Sequence, residues 1–347
     1  MKLAWWKILS VFIILYVIIV GLLVPLKQGI TAVTPSSLNA GTTVDLKIIG
    51  YNTKFNSDSK IRVWLKQDDE HALESNKIAV SNETEITASF SIPHDLPFDT
   101  KVKDFTLVVD NAIEGTTVLP NAIYITKNDT IKGDFVNAKI ENLTKANAIT
   151  FPFRNILAET IRNTYFHVPL WFAMFALFFT ALINSVKFLR TNDLQYEYKA
   201  AGYTYTGLIF GILGLITGAI WAKHTWGAYW SWDVKQNMAA ISVLIYLAYF
   251  VLKNSFEDRE KAARLSGVYN IFAFMAMIPL LFVIPRMTDS LHPGNGGNPA
   301  LGSQDLDKTM RMVFYPAVIG FILLGFWLSE IKFRYEILKA KVLEDLE

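Results

Sequence analysis

A tryptophan cluster that ends in an acid is the part of the chain best suited to chemistry. Trp226, Gly227, Trp230, Trp232 and Asp233 fall within one short polar connection between two apolar segments. Single scattered tryptophans are typical of an anchoring belt at a membrane surface. Clustered indoles beside a glycine and a carboxylate instead indicate a flat aromatic platform for a flat ligand. The glycine would allow a tight turn between the indoles.

Two histidines belong to different connections that are predicted to face the same side as this cluster. His167 precedes Pro169, which suits the first turn of a helix, so His167 is expected at the mouth of a helical bundle. His292 is followed by glycines, so we expect it to lie in a mobile loop. If the two histidines bind one metal centre, His292 is then expected to be the ligand that exchanges. Each histidine could instead make an ordinary interfacial hydrogen bond. Two imidazoles beside indoles are the chemistry of a bis-histidine haem site, whereas without a nearby carboxylate or cysteine they make a poor zinc site.

Asp233 has two compatible interpretations. It can cap the helix that follows, because an aspartate side chain accepts hydrogen bonds from the first backbone N–H groups of a helix. It can also orient the tryptophan connection. His224 lies just before the cluster, and no pattern in the sequence assigns it a role.

The composition is that of a chain with both membrane and soluble parts. Its 347 residues are 52% hydrophobic and 18% charged, which is apolar for a soluble protein and polar for a pure membrane protein. The net charge of +2 gives no argument for nucleic acid as a partner. The chain has no cysteine, which excludes disulfides, cysteine-ligated metals, a thiolate nucleophile and covalent attachment of haem through thioether bonds.

Six apolar windows are long enough, or nearly long enough, to cross a bilayer, which takes roughly 20 residues. They run from Ile8 to Leu26, Phe166 to Val186, Gly202 to Ala222, Asn237 to Leu252, Ser266 to Pro285 and Met312 to Ile331. We interpret the first as a retained anchor rather than a cleaved signal peptide, because no small-residue cleavage site follows it. Lysine and arginine concentrate before the first window and after the second, fourth and sixth, which predicts two cytoplasmic termini. The tryptophan cluster, His292 and everything between the first two windows then lie outside.

The outer segment has the signature of an all-β domain. Residues 28–128 contain short β-branched runs spaced by about ten residues, which predicts an antiparallel sandwich. The runs are Thr43 to Ile49, Lys60 to Leu65, Glu85 to Ile92, Phe105 to Val109 and Ala122 to Ile125. Its opening, from Ile30 to Ser37, Ala40 to Thr42 and Ile48 to Phe55, resembles an IPT/TIG immunoglobulin-like domain. Residues 129–158 are predicted as a linker and a short interfacial helix, and residues 159–347 as a five-helix membrane core.

The tryptophan cluster reads Trp-Gly-x-x-Trp-x-Trp-Asp, which resembles the WWD signature of haem-handling proteins of cytochrome c biogenesis, CcmC and CcsA among them. Residues 162–169 and 290–292 resemble the two outer histidine segments of CcmC, in the same order across six spans. The resemblance implies non-covalent haem b in transit, with His167 and His292 as axial iron ligands and the WWD residues around it. It further implies delivery to a CcmE-like haem chaperone beside a CcmA/CcmB-like ABC transporter in the cytoplasmic membrane.

Two other functions stay open at this stage. A CcsA-type component of a cytochrome c synthase would be an enzyme, but such proteins carry an additional histidine pair within the membrane that the six windows here do not contain. A membrane anchor that displays an immunoglobulin-like adhesion domain would use the tryptophans only as an interfacial belt. No phosphate-binding G-x-x-x-x-G-K-[ST] run is present, so any ATPase must be another chain. Haem delivery without bond formation is the predicted function.

Overall fold

The computed structural model describes residues 4–127, 135–145, 149–155, 157–292 and 306–344. The chain forms two compact units: one combines Met1–Val24 with Glu159–Glu347, and the other is Pro25–Ala158. The first unit is helical and the second is built from strands. This is the polytopic helical membrane protein with an inserted β unit that the sequence predicts.

In the described residues, six helices are long and apolar enough to cross a membrane, one for each predicted window. The helical elements are α1 (Trp5–Leu23), a 3-10 helix (Ala158–Tyr165), α2 (His167–Thr191), α3 (Leu194–Trp226), α4 (Val234–Lys253), α5 (Arg259–Ile278), a π turn (Pro279–Val283), α6 (Ile284–Met287) and α7 (Lys308–Glu344). The last five spans extend beyond their windows, because polar residues continue the helices past the apolar runs. The fifth span consists of α5, the π turn and α6, and covers Arg259–Met287.

Aspartates and left-handed residues set the helix boundaries around the connections. Asp193, Asp233 and Asp258 each accept a hydrogen bond from a backbone N–H in the first turn of α3, α4 and α5. α2 is terminated at Asn192 and α3 at Gly227, both with a left-handed backbone. The tryptophan connection is therefore held between two well-defined helix ends.

Aromatic stacking and a polar cluster hold the helices of the membrane unit together. Phe178 of α2 stacks on Tyr246 of α4 with ring centroids 3.5 Å apart. Asn270 of α5 donates to the hydroxyl groups of Ser185 on α2 (3.1 Å) and Thr204 on α3 (3.0 Å). Side-chain hydrogen bonds between apolar helices contribute about 1 kcal/mol each. The cluster therefore fixes three helices against one another.

The first span is bound to the rest of the helical unit at both of its ends. Lys7 of α1 pairs with Glu330 of α7 at 2.7 Å. Arg162 donates to the carbonyl oxygens of Gly21 (2.8 Å) and Val24 (2.7 Å) at the end of α1. A cation at these oxygens satisfies carbonyl groups that a helix end leaves unpaired. α1 is thus a packed part of the helical unit.

The β unit consists of two sheets. Its strands are β1 (Gly29–Thr34), β2 (Ser37–Asn39), β3 (Thr43–Tyr51), β4 (Ile61–Lys66), β5 (Ala72–Glu74), β6 (Lys77–Asn82), β7 (Glu85–Ser91), β8 (Val102–Asn111) and β9 (Gly115–Thr126). The sheets have the orders β1-β3-β7-β6 and β2-β9-β8-β4-β5, antiparallel except between β2 and β9. Every run predicted from the sequence is a strand. β7 buries Ile86, Ala88 and Phe90, which is the alternation of a strand with one face in a core.

Part of the polar stretch after the last strand packs against the β unit. Residues 135–145 have no regular secondary structure but pack along the five-stranded sheet. Asp110 of β8 accepts from the Thr144 N–H at 2.8 Å, and the Ala138 N–H donates to the Ala72 carbonyl oxygen at 2.9 Å. The predicted interfacial helix is displaced toward the second span and is a 3-10 helix. Ile156, within the range of that prediction, lies outside the described residues.

The two ends of the β unit are joined by backbone hydrogen bonds. The Lys27 N–H donates to the Phe151 carbonyl oxygen (2.7 Å), and the Phe151 N–H donates to that of Pro25 (3.0 Å). Tyr51 of β3 stacks on Phe153 at 4.9 Å between ring centroids. The chain therefore enters and leaves the β unit at neighbouring points.

Candidate functional site

His167 is the first residue of α2, and both of its ring nitrogens are hydrogen-bonded. Nδ1 lies 3.0 Å from Oγ1 of Thr217 on α3. The Thr217 hydroxyl itself donates to the Leu213 carbonyl oxygen (2.9 Å), so its oxygen accepts from Nδ1. Trp171, one turn further along α2, donates its indole N–H to Nε2 at 3.3 Å. This pattern assigns the proton of His167 to Nδ1 and the lone pair to Nε2.

Two glycines of α3 make room for these rings. A methyl group at Gly218 would lie 2.7 Å from Cε1 of His167, and one at Gly214 would lie 2.8 Å from Cε2 of Trp171. Residues one helical turn apart lie on the same face, so the two glycines form one small-residue surface opposite the two rings. Their spacing on α3 therefore decides where His167 and Trp171 can lie.

The connection between α3 and α4 begins with a glycine turn. Gly227 has φ +85°, and its N–H donates to the Lys223 carbonyl oxygen at 3.1 Å. The Lys223 ammonium group in turn donates to the Gly227 carbonyl oxygen at 2.9 Å. Glycine is strongly favoured where the backbone just after a helix is left-handed, and Gly227 forms the tight turn that the sequence predicts. Trp232 also has a positive φ (59°), and its side chain is 79% exposed.

The tryptophans do not form the single flat platform that the sequence predicts. Trp226 packs edge-to-face against His292 (4.7 Å between ring centroids, 77° between planes). Trp221, on α3, meets Trp226 at 4.9 Å and also at 77°. Trp230 and Trp232 are perpendicular to each other at 6.5 Å. The indoles therefore surround the site in different planes, because the glycine turn separates the first pair from the second.

Asp233 holds two parts of the site at once. Its Oδ1 accepts from the Lys235 N–H (2.9 Å) and the Ser290 hydroxyl (3.1 Å), and lies 2.8 Å from His292 Nδ1. Its Oδ2 accepts from the Leu291 N–H at 2.7 Å. The side chain is 2% exposed. Burial opposes ionisation, but these hydrogen bonds and the nearby His292 lower the pKa of the carboxyl group below its ordinary value. Both roles expected of Asp233, helix cap and orienting group, thus occur together.

His292 is fixed by this carboxylate. Burial lowers the pKa of His292, and Asp233 opposes that shift without reversing it. The imidazole is therefore neutral at pH 7, with its Nδ1–H donating a hydrogen bond to Asp233 and its Nε2 carrying the lone pair. A histidine held at Nδ1 by a carboxylate is the usual arrangement of a metal-binding imidazole. The glycines that follow His292 lie outside the described residues, as does the mobile loop predicted there.

One cavity of about 420 Å³ contacts both histidines. Its lining is mostly apolar and includes the wall residue Trp230, the charged Lys235 and the amide of Gln236. The complete lining is His167, Trp171, Phe172, Met174, Phe175, Gly214, Leu215, Gly218, Ala219, Trp230, Lys235, Gln236, Ala239, Leu281, Phe282, Pro285 and His292. The cavity can therefore offer two neutral imidazoles to a metal and apolar walls to the group around it.

Three further polar residues of the helical unit lie outside the lining of the cavity. His224 is exposed in the last turn of α3 and does not line the cavity. Arg162 contacts the end of α1, and Arg311 donates to the Leu306 carbonyl oxygen at 3.0 Å. In the described residues, no group of three or more histidine, aspartate or glutamate side chains could hold a bare metal ion.

Comparison with known proteins identifies the family of the helical unit. The family model described as "Heme exporter protein C" matches residues 146–346, which is more than half of the chain. The chain belongs to this family. All predicted site residues lie inside the matched range, and nearly the whole β unit lies before it.

Individual relatives in the heme exporter protein C family are distant in sequence but cover the same region. The protein of Haemophilus influenzae is 27% identical over 181 residues, which is 52% of this chain and 73% of the relative. That of Paracoccus denitrificans is 27% identical over 183 residues, 53% of this chain and 76% of the relative. That of Rhodobacter capsulatus is 27% identical over 208 residues, 57% of this chain and 82% of the relative. The six helices together with this family make the chain a multi-pass membrane protein.

Sequence reasoning missed several residues of the site. Trp171 has a readable signal, since it follows His167 by one helical turn. Thr217 and Ser290 are ordinary polar residues, and only the packing of their elements brings them to the histidines. Lys235 has no sequence pattern that distinguishes it from the other lysines, and only the structure shows that it lines the cavity.

Proposed function

We propose that the chain binds haem as cargo between His167 and His292 and passes it on during cytochrome c maturation. The observation that carries this proposal is that both imidazoles line one cavity while each has its Nδ1 in a hydrogen bond. A fixed Nδ1 leaves Nε2 as the nitrogen for iron. The name of the relatives, heme exporter protein C, points to the same cargo.

The cavity suits a porphyrin in its chemistry and in its size. A volume of about 420 Å³ is within the range of pockets that hold small molecules and cofactors. Trp171, Phe175 and Trp230 present aromatic walls to the faces of a macrocycle. Lys235 offers a positive charge to a propionate. Without a cysteine the chain cannot attach haem through thioether bonds, and we propose that the cargo is non-covalent haem b.

The WWD residues support this site in different ways. Asp233 acts through His292, whose ring it orients, and Trp226 packs against the same ring. Trp230 is a wall of the cavity. We assign to the exposed Trp232 the covering of an open edge of the porphyrin, and to Gly227 the turn that brings this half of the connection back over the cavity.

We further propose an orientation and partners. The distribution of lysine and arginine favours cytoplasmic termini, with the β unit and the haem site on the outer side of the cytoplasmic membrane. A CcmE-like haem chaperone would accept the haem, and a CcmA/CcmB-like ABC transporter would supply the energy of ATP, in keeping with the CcmC resemblance. Delivery is favoured over bond formation, because the histidines of the helical spans, His167 and His224, lie at helix ends.

Absorption spectra of the detergent-purified protein, oxidised and reduced, test the proposal. We expect a low-spin bis-histidine haem spectrum in the wild type and its loss or change in both His167→Ala and His292→Ala. His224→Ala is the matched control, since this histidine is exposed and outside the cavity. A wild type that takes up no added haem, or a control that changes the spectrum as much as the two variants, would contradict the proposal.

A further inference from the structure

The two proposed ligands differ in what holds their rings. His292 is bound at Nδ1 by the buried Asp233 carboxylate, at 2.8 Å. His167 is bound at Nδ1 by a neutral hydroxyl, that of Thr217, at 3.0 Å. A hydrogen bond to an ionised partner is roughly twice as strong as a neutral one, and it also raises the basicity of the imidazole. The His292 ring is therefore held more firmly than the His167 ring, and its Nε2 is the stronger electron-pair donor to iron.

The nitrogen of His167 that would bind iron already has a partner within the chain. The indole N–H of Trp171 donates to Nε2 at 3.3 Å, with the two rings nearly perpendicular and their centroids 6.0 Å apart. The lone pair on Nε2 points along one direction, so it can accept from Trp171 or bind iron but cannot do both. The packing of Trp171 against Gly214 keeps the indole in this place.

We propose that Trp171 is an internal competitor for iron at His167 and makes His167 the ligand that exchanges when haem is handed on. The inference rests on the haem-binding function proposed above, and it reverses the expectation from the glycine-rich loop that His292 is the exchangeable ligand. Trp171 is a positioning residue in this account, since it acts through His167.

The exchange of iron for the indole N–H at Nε2 requires no proton transfer. When iron binds, the Trp171 N–H···Nε2 hydrogen bond would break and a bond from Nε2 to iron would form, while Nδ1 keeps its proton and its hydrogen bond to the Thr217 hydroxyl oxygen. When iron leaves, the indole donates to Nε2 again. His167 therefore does not have to be protonated or solvated on release, which lowers the barrier to giving up the cargo.

The test uses Trp171→Phe, which keeps an aromatic ring and removes the N–H donor. Trp5→Phe is the matched control, because it also replaces an indole N–H with a phenyl ring, but Trp5 is exposed on α1 and does not line the cavity. The first measurement is made on full-length protein without haem: the rate at which diethyl pyrocarbonate, which attacks an unprotonated imidazole nitrogen, modifies His167, followed by mass spectrometry. The second is the rate at which bound haem transfers to an excess of apomyoglobin.

We expect Trp171→Phe to raise the modification rate of His167 and to slow haem transfer, each by about two- to tenfold, the effect of removing one neutral hydrogen bond. Trp5→Phe should leave both rates within about twofold of the wild type. Unchanged rates in Trp171→Phe, or equal changes in the control, would overturn the inference. A wild type without haem uptake would overturn the proposed function itself, and the modification rate would still report whether Trp171 occupies Nε2.

Discussion

Replacing Asp233 with asparagine tests the link between the WWD signature and the second histidine. The wild-type carboxylate accepts at both oxygens: Oδ2 from the Leu291 N–H, and Oδ1 from the Lys235 N–H, the Ser290 hydroxyl and His292 Nδ1. All of these partners are donors in the neutral-His292 state. An asparagine has one accepting oxygen and one NH₂ group, so in either orientation its NH₂ group must face a donor.

The expected size of the effect follows from that mismatch. With the amide oxygen toward Lys235 and His292, the NH₂ group meets the Leu291 N–H, and one hydrogen bond to a charged group is lost. Such a bond is worth about 1.5–3 kcal/mol, and the buried N–H that remains unpaired adds to the loss. Replacing a group that orients a metal-binding histidine typically lowers metal affinity by about 10- to 100-fold. We therefore expect haem affinity to fall by about 10- to 100-fold in Asp233→Asn.

The assay is a haem titration followed by absorbance, with Asp258→Asn as the control. Asp258 also caps a helix, accepting from the Glu260 and Lys261 N–H groups, but it is exposed and contacts no histidine. Asparagine is an equally good N-cap, so the control should bind haem like the wild type. Equal affinities for Asp233→Asn and the wild type, within about twofold, would refute the reasoning, and so would an equal loss in the control.

Three further predictions concern the histidines and the β unit. Gly218→Ala should displace the His167 ring and weaken haem uptake, because the added methyl group would lie 2.7 Å from Cε1 of His167. Gly227→Ala is its control, since a methyl group there meets no atom within 4 Å. This control should cost only about 1 kcal/mol of backbone strain and leave the haem spectrum unchanged. Burial lowers the pKa of His292 below 6.5, so the neutral ring contributes its full stability above pH 6.5, and this stability is lost as the pH falls toward the folded-state pKa. His292→Gln should therefore flatten this part of a plot of Tm against pH. An unchanged slope would contradict the lowered pKa. Deletion of residues 30–127 should spare the haem spectrum and impair assembly with partners, whereas haem loss from a stably folded deletion would contradict it.

The sequence predicts the architecture well because membrane spans are long and strongly patterned. All six windows correspond to helices, and only their polar extensions were missed, since hydropathy alone does not register them. β5 has only three residues and β6 buries none of its side chains, so both form through their neighbours in the sheets rather than by a pattern of their own. The candidate ligands could be chosen by residue type and position. Their supports could not, because Thr217 and Asp233 reach the histidines across separate elements.

The same limit applies to the aromatic residues. Clustering in the sequence predicted a flat platform, but Gly227 and the left-handed Trp232 turn the backbone between the indoles. Each ring therefore has its own orientation, which residue type and spacing do not encode. The indole that touches His167 lies outside the WWD signature altogether, on the helix that carries the histidine.

The contacts at the ends of the β unit make that unit a removable module. Arg162 ties the residues just after the insertion to Gly21 and Val24, the last residues before it, within the helical unit alone. On its own side, the β unit joins Lys27 to Phe151. Each unit thus closes its own gap, and a loop whose ends are already held together adds little entropy cost however long it is. A gene encoding the helical unit alone could have gained, lost or exchanged the β unit without a change in the cavity that contains His167 and His292.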